Sequence, residues 1–165
     1  ILLSAEETRT PALQLTKTFP DIRIEDSYAI SSRVTETKIA RGDRLIGHKI
    51  GLTSKAMQAS SQIDEPDYGH LLESMLLNDG AKVRFEDYCV PRVEPELTFI
   101  LKEPLKGPGI GLVDVLRATE WVVPSIEIID ARVQNPRKIQ DTVADNGAAA
   151  GIVLGGRPVR PDAVD

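Results

Sequence analysis

The chain has 165 residues, a formal net charge of −5 and a pI near 5.1, which suits one acidic domain with a core of its own. The acidic balance, with no basic block or aromatic-interleaved basic stripe, argues against nucleic-acid binding. No apolar run reaches membrane-spanning length, and Ile1-Leu2-Leu3 is too short for a signal-peptide core, so neither membrane nor export is indicated.

Residues 1–18 are ambiguous: Ala5-Glu6-Glu7 can open a helix that Pro11 interrupts or restarts. Phe19-Pro20-Asp21 marks a turn. A helix then opens at Ile24-Glu25-Asp26, with an acid at its N-terminus, a rough apolar stripe of Ala29, Ile30, Val34 and Ile39, and Gly42 as terminator. Its expected role is packing. Arg44–Leu52 reads as a short strand interrupted by Gly47 and Gly51, with His48 and Lys49 on opposite faces. A lysine in such a strand is paired, snorkelling or functional. Residues 56–63 are a polar helix or loop, and 64–69 read as turn chemistry throughout. Asp67-Tyr68 either presents an acid and a phenol to a site or forms an Asx-turn with a packed ring. His70 reads as a surface residue.

Leu71–Leu77 is apolar, Asn78-Asp79-Gly80 is a turn, and Lys82–Val90 alternates loosely. Cys89, the lone cysteine, excludes an intramolecular disulfide and favours a reducing, cytoplasmic compartment; it reads as a small buried residue, not a nucleophile. Pro91–Leu101 is a strand with Glu94 and Glu96 at its start, and Pro95 places that end at an edge or opening. A loop at 106–109 precedes a short helix with Leu112, Val113, Val115 and Leu116 and with Asp114 in its first turn. Trp121–Asp130 is a second strand, where Pro124 again suggests an edge or opening. Asp141, Asp145 and Asn146 follow, then the small-residue run 147–151, a strand at 152–154 and a turn at Gly155-Gly156.

The chemistry centres on the acids of the two strands. Residues two apart on a strand share a face, so Glu94 and Glu96 converge while Val93 and Leu97 point away. Adjacent carboxylates repel unless a proton or cation lies between them, and hard divalent ions take oxygen ligands of this kind. The bland alternative is a solvated strand face. Glu127, between two isoleucines, needs a partner if buried, and with Glu94 and Glu96 it makes a three-carboxylate set. There is no glycine-rich nucleotide fingerprint, phosphate loop or nucleophile elbow.

Four motifs in order carry a resemblance: Gly47-His48-Lys49-Ile50-Gly51-Leu52-Thr53-Ser54, Pro66-Asp67-Tyr68-Gly69, Pro91-Arg92-Val93-Glu94-Pro95-Glu96-Leu97, and Pro124-Ser125-Ile126-Glu127-Ile128-Ile129-Asp130-Ala131-Arg132. With Asp141–Asn146 and Leu154-Gly155-Gly156, they make the chain similar to the hydratase/decarboxylase branch of the fumarylacetoacetate hydrolase superfamily, from about Ala5 onward. Residues 55–62 and Pro136-Arg137-Lys138 resemble the subgroup acting on seven-carbon dicarboxylates.

The resemblance implies an α+β fold: a mixed β-roll like the C-terminal domain of fumarylacetoacetases, with flanking helices. In this reading 1–165 is one domain, with an N-terminal helical segment (1–43) and a β-rich metal-binding core (44–165). The family's C-terminal part is absent, and the join Gln134-Asn135-Pro136 is abrupt beside relatives. With its start at Ile1, the chain fits a piece of a longer protein.

By the same resemblance Glu94, Glu96 and Glu127 are Mg²⁺ (or Mn²⁺) ligands, and Lys49 is the cation beside the substrate's carboxylate and 2-oxo oxygen. Asp67 is the acid/base, Tyr68 contacts substrate, and Arg137 or Lys138 anchors a second carboxylate. The implied activity is hydration of a 2-oxo-enoate dicarboxylate of the 2-oxo-hept-4-ene-1,7-dioate type in aromatic catabolism, through a metal-stabilised dienolate. Alternatives are decarboxylation of 2-oxo-3-hexenedioate, hydration of 2-oxopent-4-enoate, or a non-catalytic partner subunit. A cytoplasmic homo-oligomer, with a pathway enzyme as a further partner, is implied as well.

Overall fold

The computed structural model describes residues 1–164. Leu2–Thr8 form α1, which stops at Arg9 in the left-handed conformation (φ 56°). Pro11 precludes direct continuation, and Leu15–Thr18 form a single turn, α2. Ile24–Ala40 form α3, whose N-terminus is closed by the Asp26 carboxylate accepting the Arg23 N–H. Its buried face is not the expected aliphatic stripe. Ala29 and Ile39 are exposed and Ile30 and Val34 half-buried, while Ser27, Ser31 and Thr35 are enclosed. These residues recur every four positions on one face. Their small size lets α3 pack close to the helix at 139–144.

Leu45–Gly51 form β1, with a register shift between Leu45 and Gly47 and its end at Gly51, and Lys55–Ser61 form α4, capped by Ser54 Oγ accepting the Met57 N–H. Asp67–Leu72 form β2, antiparallel to β1 with Lys49 opposite Gly69 and Gly51 opposite Asp67. Residues 67–69 are therefore strand rather than the expected turn, because the β1 ladder outcompetes local turn chemistry. Leu76–Leu77 form the short β3. Residues 82–90 hold only a 3₁₀ turn at Phe85–Asp87. No strand forms there: the Asp130 carboxylate takes the Cys89 and Val90 N–H groups at 2.9 and 2.6 Å.

Pro91–Leu101 form β4, Leu112–Ala118 α5, Thr119–Asp130 β5, Ile139–Ala144 α6 and Ala149–Leu154 β6. The larger sheet has the order β3-β6-β5-β4, with β3 parallel to β6 and the other pairs antiparallel. The protein is thus a mixed helix-and-sheet structure. β4 is at the edge, as Pro95 requires. β5 is interior, so Pro124 is not on an edge strand. It is tolerated because the β6 ladder ends one residue away, at Ser125–Leu154, and the chain then loops round Pro124. Two aliphatic clusters hold the elements together. Leu71, Leu72 and Met75 pack on Ala149 and Ile152; Leu2 and Leu15 pack on Val133 and Ala144.

Candidate metal centre and cleft

β4 and β5 pair with Glu94 opposite Glu127 and Glu96 opposite Ser125. Directly opposed residues share a face, so the three glutamates meet, with one oxygen of each within 4.8 Å of the others. That span is close to the roughly 4.2 Å between opposite oxygens of an octahedral Mg²⁺. Glu94 and Glu96 are exposed; Glu127 is 5% exposed. Glu127 Oε1 has no hydrogen-bond partner among the described residues. An all-oxygen donor set with a buried, unpartnered oxygen fits a hard divalent cation.

Lys49 approaches from β1. Its Nζ lies 3.4 Å from Glu127 Oε1, an ion pair without hydrogen-bond geometry, and donates to the Gly147 carbonyl at 3.1 Å. Burial pushes the Glu127 carboxyl above its usual range; Lys49 opposes this, and Glu94 and Glu96 add to the rise. Asp67, 5% exposed, faces the same space with Oδ1 unpartnered among the described residues. Burial raises its carboxyl too, against the pull of Lys49. The carboxylate lies so close to Gly51 that a Cβ there would overlap Oδ1; this is why β1 carries glycine at that point.

Lys49, Asp67, Glu94, Arg137, Lys138 and Gly147 line one cleft of about 660 Å³, the size of a small-molecule site. Tyr68 does not join them. As the strand neighbour of Asp67 it points to the opposite face, where its ring stacks on Tyr28 with centroids 4.5 Å apart. His70 is on that face too, 5.4 Å from the His48 ring and with Nδ1 3.2 Å from Asn146 Oδ1. It is a packed residue, not a surface one.

Sequence reading missed the support behind Lys49. Asn146, Gly147 and Ala148 are all left-handed (φ 58°, 60° and 59°), a strained arrangement that persists only when neighbours over-determine it. Asn146 Oδ1 accepts from Ser31 Oγ and the His70 N–H, and its Nδ2 donates to the His70 carbonyl. Just before this turn, Asp145 is gripped by buried Arg132, which also donates to the Ala149 carbonyl. The visible signal was two charged residues inside apolar segments.

No protein-family model matches the chain. It is 47% identical over 161 residues to the 2-hydroxypent-2,4-dienoate hydratase of Pseudomonas putida, covering 96% of this chain and 71% of that protein. The chain belongs to the hydratase/decarboxylase branch of the fumarylacetoacetate hydrolase superfamily. Within that branch it is 51% identical over 168 residues to the 2-oxo-hept-4-ene-1,7-dioate hydratase of Escherichia coli, covering 98% of this chain and 63% of that one. Among solved structures of the branch, the 4-oxalocrotonate decarboxylase of P. putida G7 complexed with magnesium and adipate superposes with a TM-score of 0.95 at 33% identity, over 99% of this chain and 63% of that chain. The same enzyme with calcium and acetate gives 0.92 at 34%, over 99% and 62%. The chain therefore spans less than two thirds of the Escherichia coli hydratase and of the decarboxylase.

Proposed function

We propose that the protein acts in a divalent-metal-dependent hydratase, a lyase adding water to a 2-oxo-enoate dicarboxylate in aromatic catabolism. The observation that carries this reading is the meeting of Glu94, Glu96 and Glu127 beside Lys49, with Glu94 and Lys49 lining the cleft. Relatives named as hydratases and a structural neighbour complexed with magnesium support it. Mg²⁺ (or Mn²⁺) would be held by the three glutamates. When bound, it supplies Lewis-acid stabilisation of negative charge on the substrate's C1 carboxylate and C2 oxygen. Lys49 Nζ, held by Glu127 and Gly147, offers its charge to the same anionic end. Asp67 is positioned to hold a proton at Oδ1 and exchange it with the conjugated chain, its raised carboxyl suiting acid/base work. Arg137 and Lys138 would meet a distal carboxylate. Tyr68 enters this scheme only by supporting Asp67's strand from behind.

Vinylogous decarboxylation is the second reading, favoured by the structural likeness to 4-oxalocrotonate decarboxylase. That likeness also supports the finer fold expectation, a fumarylacetoacetase-like mixed β-roll. A homo-oligomer is supported by the exposed apolar face of Val93, Leu97 and Phe99 on β4. A cytoplasmic setting is supported by the lone cysteine. The test is the ultraviolet absorbance of a 2-hydroxy-dienoate dicarboxylate incubated with protein, with Mg²⁺ or with EDTA. Metal-dependent loss of the chromophore without CO₂ release is expected. CO₂ release would transfer the assignment to decarboxylation, and no metal-dependent change would leave a non-catalytic subunit.

A further inference from the structure

We propose that the N-terminal arm, residues 11–16, sets the selectivity of the cleft for a second carboxylate, with Gln14 as the positioning residue; this rests on reading Arg137 and Lys138 as the distal anchor. The loop carrying those two cations runs from β5 to α6 and has few bonds of its own. Arg137 Nη1 donates to the Val133 carbonyl at 3.1 Å, and the Lys138 N–H to Asp141 Oδ2 at 3.0 Å. The Lys138 carbonyl also accepts the Asp141 and Thr142 N–H groups, Arg132 is held by Asp145, and the arm adds further bonds. The Ala12 N–H donates to the Arg132 carbonyl and the Gln134 N–H to the Ala12 carbonyl, both at 2.9 Å. Gln134 Nε2 reaches the Pro11 carbonyl at 3.1 Å. Thr16 binds both oxygens of Asp141, through its N–H and its Oγ, at 2.9 Å each.

Gln14 is the centre of this clamp. It is 2% exposed, and its Nε2 donates to the Pro136 carbonyl at 3.1 Å, next to Arg137. Its Oε1 is buried with no partner among the described residues. A buried acceptor left unpaired is costly, so an aliphatic side chain would fill this space more cheaply. What the amide adds is the bond to Pro136. None of the arm's hydrogen bonds goes to Lys49, Asp67 or the three glutamates. The clamp therefore acts on the loop of the two cations and makes no direct bond to the metal end. A charged pair helps a ligand only if it is already held in place, since ordering a loose loop on binding offsets the attraction.

The experiment titrates Mn²⁺-loaded protein calorimetrically with 2-oxopimelate and with 2-oxoheptanoate. These share the 2-oxo acid and differ in the distal carboxylate, and neither has an alkene to hydrate. In Gln14→Met the Kd for 2-oxopimelate should rise about tenfold while that for 2-oxoheptanoate stays within about twofold. Mn²⁺ affinity should be unchanged. An unchanged ratio of the two Kd values in folded Gln14→Met overturns the proposal. If that variant does not fold, Thr16→Val carries the test: a smaller shift of the ratio in the same direction supports the clamp, and no shift overturns it. Arg137→Gln and Lys138→Gln separate the two readings. If they leave the ratio intact while Gln14→Met moves it, the anchor reading falls and with it the clamp's action through these cations; if they move it while Gln14→Met does not, the anchor stands and the clamp alone falls.

Discussion

At the residue scale, the glutamates and Lys49 define opposite demands on one small volume. Glu127→Gln should weaken Mn²⁺ binding by more than the roughly 10–100-fold typical of losing an outer partner, and calorimetric titration measures it. Lys49→Met removes the only cation that faces buried Glu127 among the described residues. Breaking a buried pair costs on the order of 3 kcal/mol, so metal-free protein should lose that much in urea unfolding, and Mg²⁺ should restore most of it by taking over the charge. Cys89 is a contrasting case. Burial pushes its thiol up to about 11, and Asp130 adds to the rise. At pH 8 its thiolate fraction is then lower than an ordinary cysteine's by roughly a hundredfold or more. Iodoacetamide labelling should be slow by that factor in the folded protein and normal in urea.

At the element scale, the β1–β2 pair and the left-handed turn after α6 decide where Lys49 and Asp67 sit. A Cβ at Gly69 would lie 2.5 Å from the Asn146 carbonyl oxygen, a backbone atom that cannot swing aside. Gly69→Ala should therefore cost about 1–3 kcal/mol by overpacking, read from urea unfolding. At Gly51 the Cβ would meet a side chain, Asp67, which can rotate. Gly51→Ala should spare stability more than Gly69→Ala does, yet lower turnover by displacing the carboxylate. The strand around Gly51 was legible in the sequence, whereas Gly69 read as part of a turn until its pairing with Lys49 placed it in β2. The approach of Asn146 to Gly69 and His70 was not legible either, because His70 and Asn146 are 76 residues apart.

At the scale of the whole molecule, the outer face of β4 is unusual for an isolated chain. Val93 is 70% exposed and Leu97 56%, on the side of the strand away from the glutamates. Contiguous apolar surface of this kind marks an interaction face. If copies of the protein associate through it, Leu97→Asp should lower the molar mass measured by light scattering while leaving Mn²⁺ binding intact, since Leu97 points away from the metal end. No helix among the described residues is long and apolar enough to cross a membrane.

Local chemistry was enough to determine several features. Period-two alternation put Glu94 and Glu96 on one face, Pro95 put β4 at an edge, and acid-led starts and glycine ends bounded α3. These depend on residues within a few positions of each other. Register, burial and long-range pairing were decided only by the tertiary structure. It set Glu127 opposite Glu94 and swung Tyr68 away from Asp67. It also buried serines rather than aliphatics on α3, and laid the N-terminal arm against a loop more than 100 residues distant. Each of those outcomes depends on which distant atoms end up within hydrogen-bonding or packing distance, and neither the composition nor the spacing of a single segment contains that information.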